Sequence, residues 1–255
     1  MMYNRTFLNI SSFFAFLALL FLTSCHSSYV LSKSNRAEYQ MNKDQEVDSN
    51  LIESYMPYKV QVDQEMNTVI GHADVLMPKT DVPVENLLRN FFSDAIFHEA
   101  LKYDKNIDFA MPSTKGGLRV DIPAGDIRLS NIFEVMPFDN EMMVYELAPA
   151  DVENLLNFIA ATNGQPVAGI RMRIVNGRPA DVFIQGKPYS KNKNYRILTS
   201  DYIALGGDNV QSFKHPLSTE VLGVRMRDAL VTYVKENQSA GKTINPKLDG
   251  RITKD

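Results

Sequence analysis

The sequence contains no tryptophan and one cysteine, Cys25, among 255 residues. A lone cysteine excludes an intrachain disulfide, and without tryptophan any stacking surface must be built from Phe or Tyr. Histidine is sparse: His26, His72, His98 and His215 are scattered singly along the chain. Neither sign of charge is in large excess. Lys plus Arg number 27 against 30 Asp plus Glu, giving a net charge of −3 and an isoelectric point near 5.9. That balance excludes the basic footprint of a protein that grips nucleic-acid polymers. A membrane-spanning run is missing too, since the apolar stretch at 13–22 has ten residues and a spanning helix needs about 20. What remains is 44% hydrophobic and 22% charged, an ordinary globular composition with material for one good core.

The short apolar run has a use of its own. Arg5 precedes it, and Leu22-Thr23-Ser24-Cys25 follows it. A positive residue, a brief apolar core and small residues read as a secretory signal, and the last four residues resemble a bacterial lipobox. Residues 1–25 are therefore predicted to be a lipoprotein signal peptide with Cys25 as the lipidated residue. The mature chain is then expected to be a bacterial lipoprotein anchored to a membrane without spanning it, periplasmic or on the cell surface. Residues 26–50 are rich in Ser, Lys, Asn, Gln and Glu and read as a flexible tether. One folded domain is expected over 51–255.

Within that domain residues 55–66 fit a helix through Tyr58, Val62 and Met66, the reading favoured, although Lys59 to Asp63 alternates like a strand; the spacing then predicts a strand over 68–77 and a clear amphipathic helix over 85–103, carrying Leu88, Phe91, Phe92, Ala95 and Ile96. Glu85 lies near the positive end of that helix. His98 lies on it, and with no second ligand nearby in the sequence it reads as a packing or surface residue. A short buried strand leads into the turn Ser113-Thr114-Lys115-Gly116-Gly117-Leu118-Arg119, and a second turn is expected over 122–126. Ser130 is expected to cap a short helix ending before Pro137. A strand over 141–147, a helix from Pro149 to Gly164 and a hairpin around Asn176-Gly177 follow. Further on come a strand over 195–199, a helix over 222–234 and a last strand somewhere in 244–252.

Three turns carry side chains suited to a ligand: Gly116-Gly117 with Arg119, Pro137-Phe138-Asp139-Asn140, and Tyr202 with Gly206-Gly207-Asp208. Each has a commoner role. Glycine pairs make tight turns, an aromatic after proline is usually core, and Gly-Gly-Asp usually closes a loop. Taken together with 85–95, 122–127 and 194–199, their order and spacing resemble the C-terminal domain of bacterial 5′-nucleotidases and the related UDP-sugar hydrolases. With 194–199 running on into Gly206-Gly207-Asp208, five segments in register carry the resemblance, which holds from about Val69 to Asp208.

The resemblance implies an α+β fold of layered mixed sheets and helices, a nucleotide or nucleoside ligand, and roles for particular residues. Phe138 and Tyr202 sandwich the base, and Asn140 hydrogen-bonds it. Asp208 takes the ribose hydroxyls, Gly206 and Gly207 let the sugar lie close to the backbone, and Arg119 contacts the phosphate. Two departures matter. Where the family has Asn before its two glycines, this chain has Ser113-Thr114-Lys115, and Lys79 is the basic residue found before the long helix. The phosphate grip is therefore expected to be weaker or rebuilt around Lys115. The Asp-x-His, Gly-Asn-His and Gly-His-x-His motifs of the family's metallophosphatase domain are also missing. No cofactor is expected in this chain, and no residue is expected to be catalytic or to ligate a metal. The divalent metals are expected in a separate metallophosphatase chain, so that the two make a split 5′-nucleotidase. The competing expectations are a non-catalytic lipoprotein that binds nucleotides or nucleosides, and a surface interaction protein with a dead pocket.

Overall fold

The computed structural model describes residues 29–40, 42, 46–80 and 84–255. The expected signal peptide and Cys25 lie outside the described residues. Of the expected tether, residues 29–40, 42 and 46–48 form neither helix nor strand and are exposed. The elements run α1 (Ser49–Met66), β1 (Val69–Ala73), α2 (Leu87–Ala100), β2 (Phe109–Ala110), β3 (Gly125–Arg128), α3 (Leu129–Val135), β4 (Glu141–Leu147) and α4 (Pro149–Ala161). Then come β5 (Ile170–Val175), β6 (Arg178–Ile184), β7 (Lys187–Pro188), β8 (Tyr195–Ser200), α5 (Asp201–Ala204), β9 (Ser218–Arg225), α6 (Met226–Ser239) and β10 (Ile252–Lys254). Residues Asn50–Asp255 form one compact unit. No helix among the described residues is long and apolar enough to cross a membrane.

The strands form a sheet of order β2-β8-β4-β9, another of order β10-β5-β6-β7, and the pair β1-β3. Strands β2 and β8 are parallel, as are β10 and β5, and the other pairs are antiparallel. The expected α+β class of mixed sheets and helices is what the chain adopts. The β2-β8-β4-β9 sheet divides the interior. Side chains alternate across a strand, and here both faces are covered. Ala110, Met142, Val144 and Leu198 join the cluster that includes Leu88, Phe92 and Ile96 of α2 and Leu230 of α6. Phe109, Tyr145, Leu147 and Ile197 join the opposite cluster, with Leu155, Ile159, Ile170 and Met172. Full burial of a side chain such as Phe92 or Ile96, each 0% exposed, stabilises the fold by about 1.5–3 kcal/mol.

Local chemistry sets the element ends. Asn86 caps α2 by accepting from the Arg89 N–H at 2.8 Å. Glu85, just before α2, ties the helix start to the C-terminal segment. Its carboxylate accepts from Asn90 Nδ2 at 2.6 Å and from the backbone N–H groups of Asp249 and Gly250 at 2.9 and 3.0 Å. Asn176 and Gly177 take φ of 51° and 72°, the left-handed pair that a two-residue hairpin turn demands.

Several expectations are corrected. Residues 222–225 end strand β9, paired with β4 through a bulge, and the helix starts at Met226. Leu222 and Met226, four apart, fit a helical face, but the alternation Leu222, Val224, Met226 is a strand's, and pairing with β4 realises it. The turn expected over 122–126 is shorter, because Gly125–Arg128 pairs with β1. Ser130 lies inside α3 and does not cap it. The N-cap is Arg128, whose backbone N–H donates to Asn131 Oδ1 at 2.8 Å. The last strand is Ile252–Lys254, while Ile244 makes an isolated bridge to Ala73.

The segment around β10 is riveted to α2 by Arg251, which is 8% exposed. Its guanidinium donates to Asp94 at 2.6 and 2.8 Å, to Asp249 at 2.9 and 3.0 Å, and to the Val167 carbonyl at 2.9 Å. Burial opposes the Arg251 charge, but Asp94 and Asp249 outweigh it and raise its pKa. In the same way burial opposes the Asp249 charge, yet Arg251 holds the carboxyl below its ordinary value of 3.8. Such a group contributes stability that is complete above its unfolded pKa and is lost as the pH falls through the folded one. We predict that Arg251→Met loses about 2–3 kcal/mol in urea unfolding at pH 7, less than a fully buried pair because the carboxylates are half exposed. The gap to the wild type should narrow below pH ~4 as the Asp249 carboxyl takes up a proton.

Candidate functional site

The sheet places three turns at one edge. Strands β2 and β8 are parallel, so the loops that follow them leave in the same direction, and β4 is antiparallel to β8, so the turn that precedes it arrives there. Register fixes this: Ala110 pairs with Leu198, and Met142 with Ser200. Past the ladder, Met111 N–H donates to the Leu198 carbonyl at 3.0 Å, and Thr199 Oγ1 donates to the Met111 carbonyl at 2.9 Å. The loops thus start from a common, buried base.

Between them lies a cleft of about 420 Å³, lined by Arg119, Phe138, Asn140, Tyr202 and Asp208 together with Ser113, Gly116, Gly117 and Ser200. Five of the seven residues singled out from the sequence as a binding site meet there. Phe138 and Tyr202 are 37% and 49% exposed, so neither is spent on the core. The Arg119 guanidinium stands 5.9 Å from the Phe138 ring centroid, within cation–π range.

Asp208 is held from two sides: Tyr202 Oη donates to Oδ1 at 3.0 Å, and the Thr114 hydroxyl donates to Oδ2. Its backbone sits at φ 51°, a left-handed position that Asp tolerates better than most residues. Asn140 Nδ2 donates to Asp201 Oδ1 at 2.9 Å, which turns the amide carbonyl into the group it can offer a ligand.

Gly206 and Gly207 are not among the residues that line this cleft. Gly206 has φ 92°, which admits glycine most readily. A Cβ on Gly207 would lie 2.5 Å from Tyr202 Cε1 and 2.6 Å from the Tyr202 carbonyl oxygen. Its lack of a side chain lets the Tyr202 ring lie against it. Gly117 has a similar reason, since a Cβ there would come within 2.1 Å of Ser113 Oγ. Gly116 has nothing closer than Thr114 Oγ1 at 3.7 Å and opens its backbone to the cleft.

Sequence reasoning overlooked three contributors. Asp201 accepts from Asn140, from its neighbour Tyr202 N–H at 2.7 Å and from Glu141 N–H at 3.3 Å. The Ser200-Asp201 pair at the end of a strand is a helix-start signal, and Ser200 does cap α5. Thr114 and Arg227 left no local signal. Arg227, 9% exposed, lies 4.2 Å from the Phe133 ring centroid. It donates to the Asp139 carboxylate and to the Phe138 carbonyl, the latter at 3.4 Å, and so clamps the turn that presents Phe138. Lys79 and Lys115, the basic residues expected near a phosphate, line a neighbouring cleft of about 560 Å³ that shares Gly116 and Asp208 with the first.

Among the described residues, one His and carboxylate grouping could hold a metal ion: His98, Glu99 and Glu236, with ligand atoms within 4.8 Å of one another. The fold therefore brings two carboxylates to His98 that its sequence neighbourhood did not reveal. Lys102 already pairs with both, at 2.8 Å to Glu99 and 2.6 Å to Glu236, and the His98 ring packs edge-on against Tyr233 at 5.4 Å. One histidine and two carboxylates already paired with a lysine do not match the dense donor cluster of a two-metal hydrolytic centre.

A family model described as 5′-nucleotidase, C-terminal domain, matches residues 69–215. The trifunctional nucleotide phosphoesterase protein YfkN of Bacillus subtilis (strain 168) is 26% identical over 239 residues, covering 86% of this chain and 16% of that protein. Protein UshA of Yersinia enterocolitica is 32% identical over 157 residues, covering 59% of this chain and 27% of that protein. The crystal structure of a 5′-nucleotidase precursor from Thermus thermophilus superposes with a TM-score of 0.68 at 24% identity, covering 79% of this chain and 42% of that one. The chain thus spans less than half the length of each of these relatives.

The contact between Gly207 and Tyr202 gives a direct test of how the turn is built. A methyl group there meets backbone as well as ring, so the loop must shift. We predict that Gly207→Ala loses about 1–3 kcal/mol in urea unfolding, the usual cost of overpacking, and that its crystal structure shows the Tyr202 ring displaced from Asp208.

Proposed function

The chain belongs to the 5′-nucleotidase C-terminal domain family, and from that premise we propose that it is the nucleotide-recognition part of a 5′-nucleotidase whose metal-dependent phosphatase centre sits on a separate chain. The observation that carries this reading is the meeting of Phe138, Tyr202, Asn140, Asp208 and Arg119 around one opening of about 420 Å³. In this reading a nucleobase lies between the two rings, with the Asn140 amide at its edge. The ribose hydroxyls donate to Asp208, whose carboxylate can accept from both. The phosphate meets the Arg119 guanidinium, which is suited to paired bonds with phosphate oxygens. Relatives whose names include a nucleotide phosphoesterase and a 5′-nucleotidase precursor support a nucleotide ligand.

The contribution of this chain to hydrolysis is then placement. Tyr202 and Asp208 are already hydrogen-bonded to one another, so the stacking face and the ribose acceptor are set before a ligand arrives and lose little freedom on binding. Holding the base and sugar fixes where the phosphate points, and orientation of this kind can supply a large part of a rate enhancement. The metal ions that activate water are supplied by the partner chain. A lipid on Cys25 holds the domain at the membrane, and a partner anchored to the same membrane meets it at a raised effective concentration.

Calorimetry on the isolated chain with AMP and adenosine tests recognition. We expect AMP to bind, and Phe138→Ala and Tyr202→Ala each to weaken it by about 1–3 kcal/mol, roughly 5- to 150-fold. Assays with divalent metal test the division of labour. The chain alone should leave AMP intact, and adding it to the metallophosphatase chain should raise hydrolysis above that chain's own rate. Binding without any such rise would make it a capture lipoprotein, and absence of AMP binding would remove the recognition role altogether.

A further inference from the structure

Where the β6–β7 hairpin meets the loop between α2 and β2 there is a third cleft, of about 640 Å³, the size of a small-molecule site. It shares no lining residue with the two clefts described above. Buried Ile107 and Ile184 give it an apolar floor. Three lysines line it, Lys105, Lys187 and Lys193, against one carboxylate, Asp108.

Both oxygens of that carboxylate are engaged. Asp108 Oδ1 accepts from the Lys193 ammonium at 3.0 Å, and Oδ2 accepts from the Arg196 N–H at 2.8 Å. Lys193 also lies over the Tyr195 ring, 4.4 Å from its centroid. Lys105 and Lys187 are exposed and have no carboxylate partner among the described residues. Asp104, beside Lys105 in the chain, is buried and accepts from Arg196 Nη2 at 2.7 Å. In a chain of net charge −3, this opening therefore keeps two ammonium charges uncompensated.

The cations are carried on a fixed frame. Asp104 and Asp108 pin both ends of the loop that bears Lys105 to Arg196 of β8. Lys187 follows the turn at Gln185-Gly186, whose φ angles are 48° and 71°. Gln185 Nε2 donates to the Asp108 carbonyl at 2.8 Å, tying the hairpin to the same loop. A lysine ammonium is a compact point charge and a common phosphate binder. Two of them without counter-charge match the two negative charges of a phosphate monoester, whereas a carboxylate or chloride would answer one. The apolar floor gives room to an organic group beyond the phosphate.

We propose that this cleft binds the phosphate of an organic phosphomonoester, with Lys105 and Lys187 on the dianion and Ile107 and Ile184 against the organic part. Such a phosphate belongs either to a soluble ester or to a lipid headgroup, and the recognition chemistry is the same for both. The proposal stands apart from the nucleotide reading, because no residue of the first cleft takes part.

Amide NMR spectra of the full chain test it, in titrations with glycerol 3-phosphate and with dihexanoyl phosphatidic acid kept below its micelle concentration. Sodium chloride at matched ionic strength is the control for screening. We expect saturable shifts at Lys105, Gly186 and Lys187. The double variant Lys105→Gln, Lys187→Gln should bind about tenfold or more weakly, since charge-assisted contacts are lost. Lys105→Arg with Lys187→Arg, which keeps both charges, should still bind. Tighter binding of the phosphatidic acid assigns the phosphate to a lipid, and equal or weaker binding assigns it to a soluble ester. No response to either ligand, the same response to sodium chloride, or affinity unchanged in the glutamine variant overturns the proposal.

Discussion

The pairing of β8 with a parallel neighbour on one side and an antiparallel neighbour on the other is the constraint from which the rest follows. It sends the ends of β2 and β8 and the beginning of β4 to one edge of the sheet. Residues more than eighty positions apart in the chain then become neighbours, as when Thr114 meets Asp208. Because the sheet is buried on both faces, a register slip would move Val144 and Leu198 out of one core and Tyr145 and Ile197 out of the other. The geometry of the cleft is thereby protected by the hydrophobic energy of the whole domain.

The cleft itself is built on a division between side chains that hold and side chains that are offered. Arg227, Asp201 and Thr114 hold. They are tied to the Phe138 turn, to Asn140 and to Asp208 respectively. The exposed rings of Phe138 and Tyr202 are what they hold out. Leaving two aromatic faces in water forgoes burial that a core position would reward. That cost, together with the left-handed backbone at Asp208, is the sort of local expense that folds retain at binding sites.

Much of this was legible in the sequence, for reasons that can be named. The Asn176-Gly177 turn, the apolar stripe of α2 and the alternation of 141–147 are short-range signals, and the structure obeys them. Phe138, Asn140, Tyr202 and Asp208 were found because their spacing matched a known pattern. What escaped notice is long-range. Leu222 and Val224 have a strand's role only because β4 lies beside them. Gly125 begins a strand only because β1 is there to pair. Arg227 reaches the Phe138 turn across 89 positions, and nothing near it in the chain announces that. The reason for Gly207 was also hidden, since only the fold reveals that the Tyr202 ring rests on it.

The rivet at Arg251 bears on how the molecule comes into being. Strand β10 completes its sheet beside β5, and Glu85, at the start of α2, waits for the backbone of Asp249 and Gly250. Those contacts join positions more than 160 residues apart. A ribosome delivers the chain from its N-terminal side, so α2 is made long before the segment that locks it, and each core waits for a late member, Ile244 in one and Ile252 in the other. Until Asp249 to Lys254 emerge, Glu85 and Asp94 lack these partners.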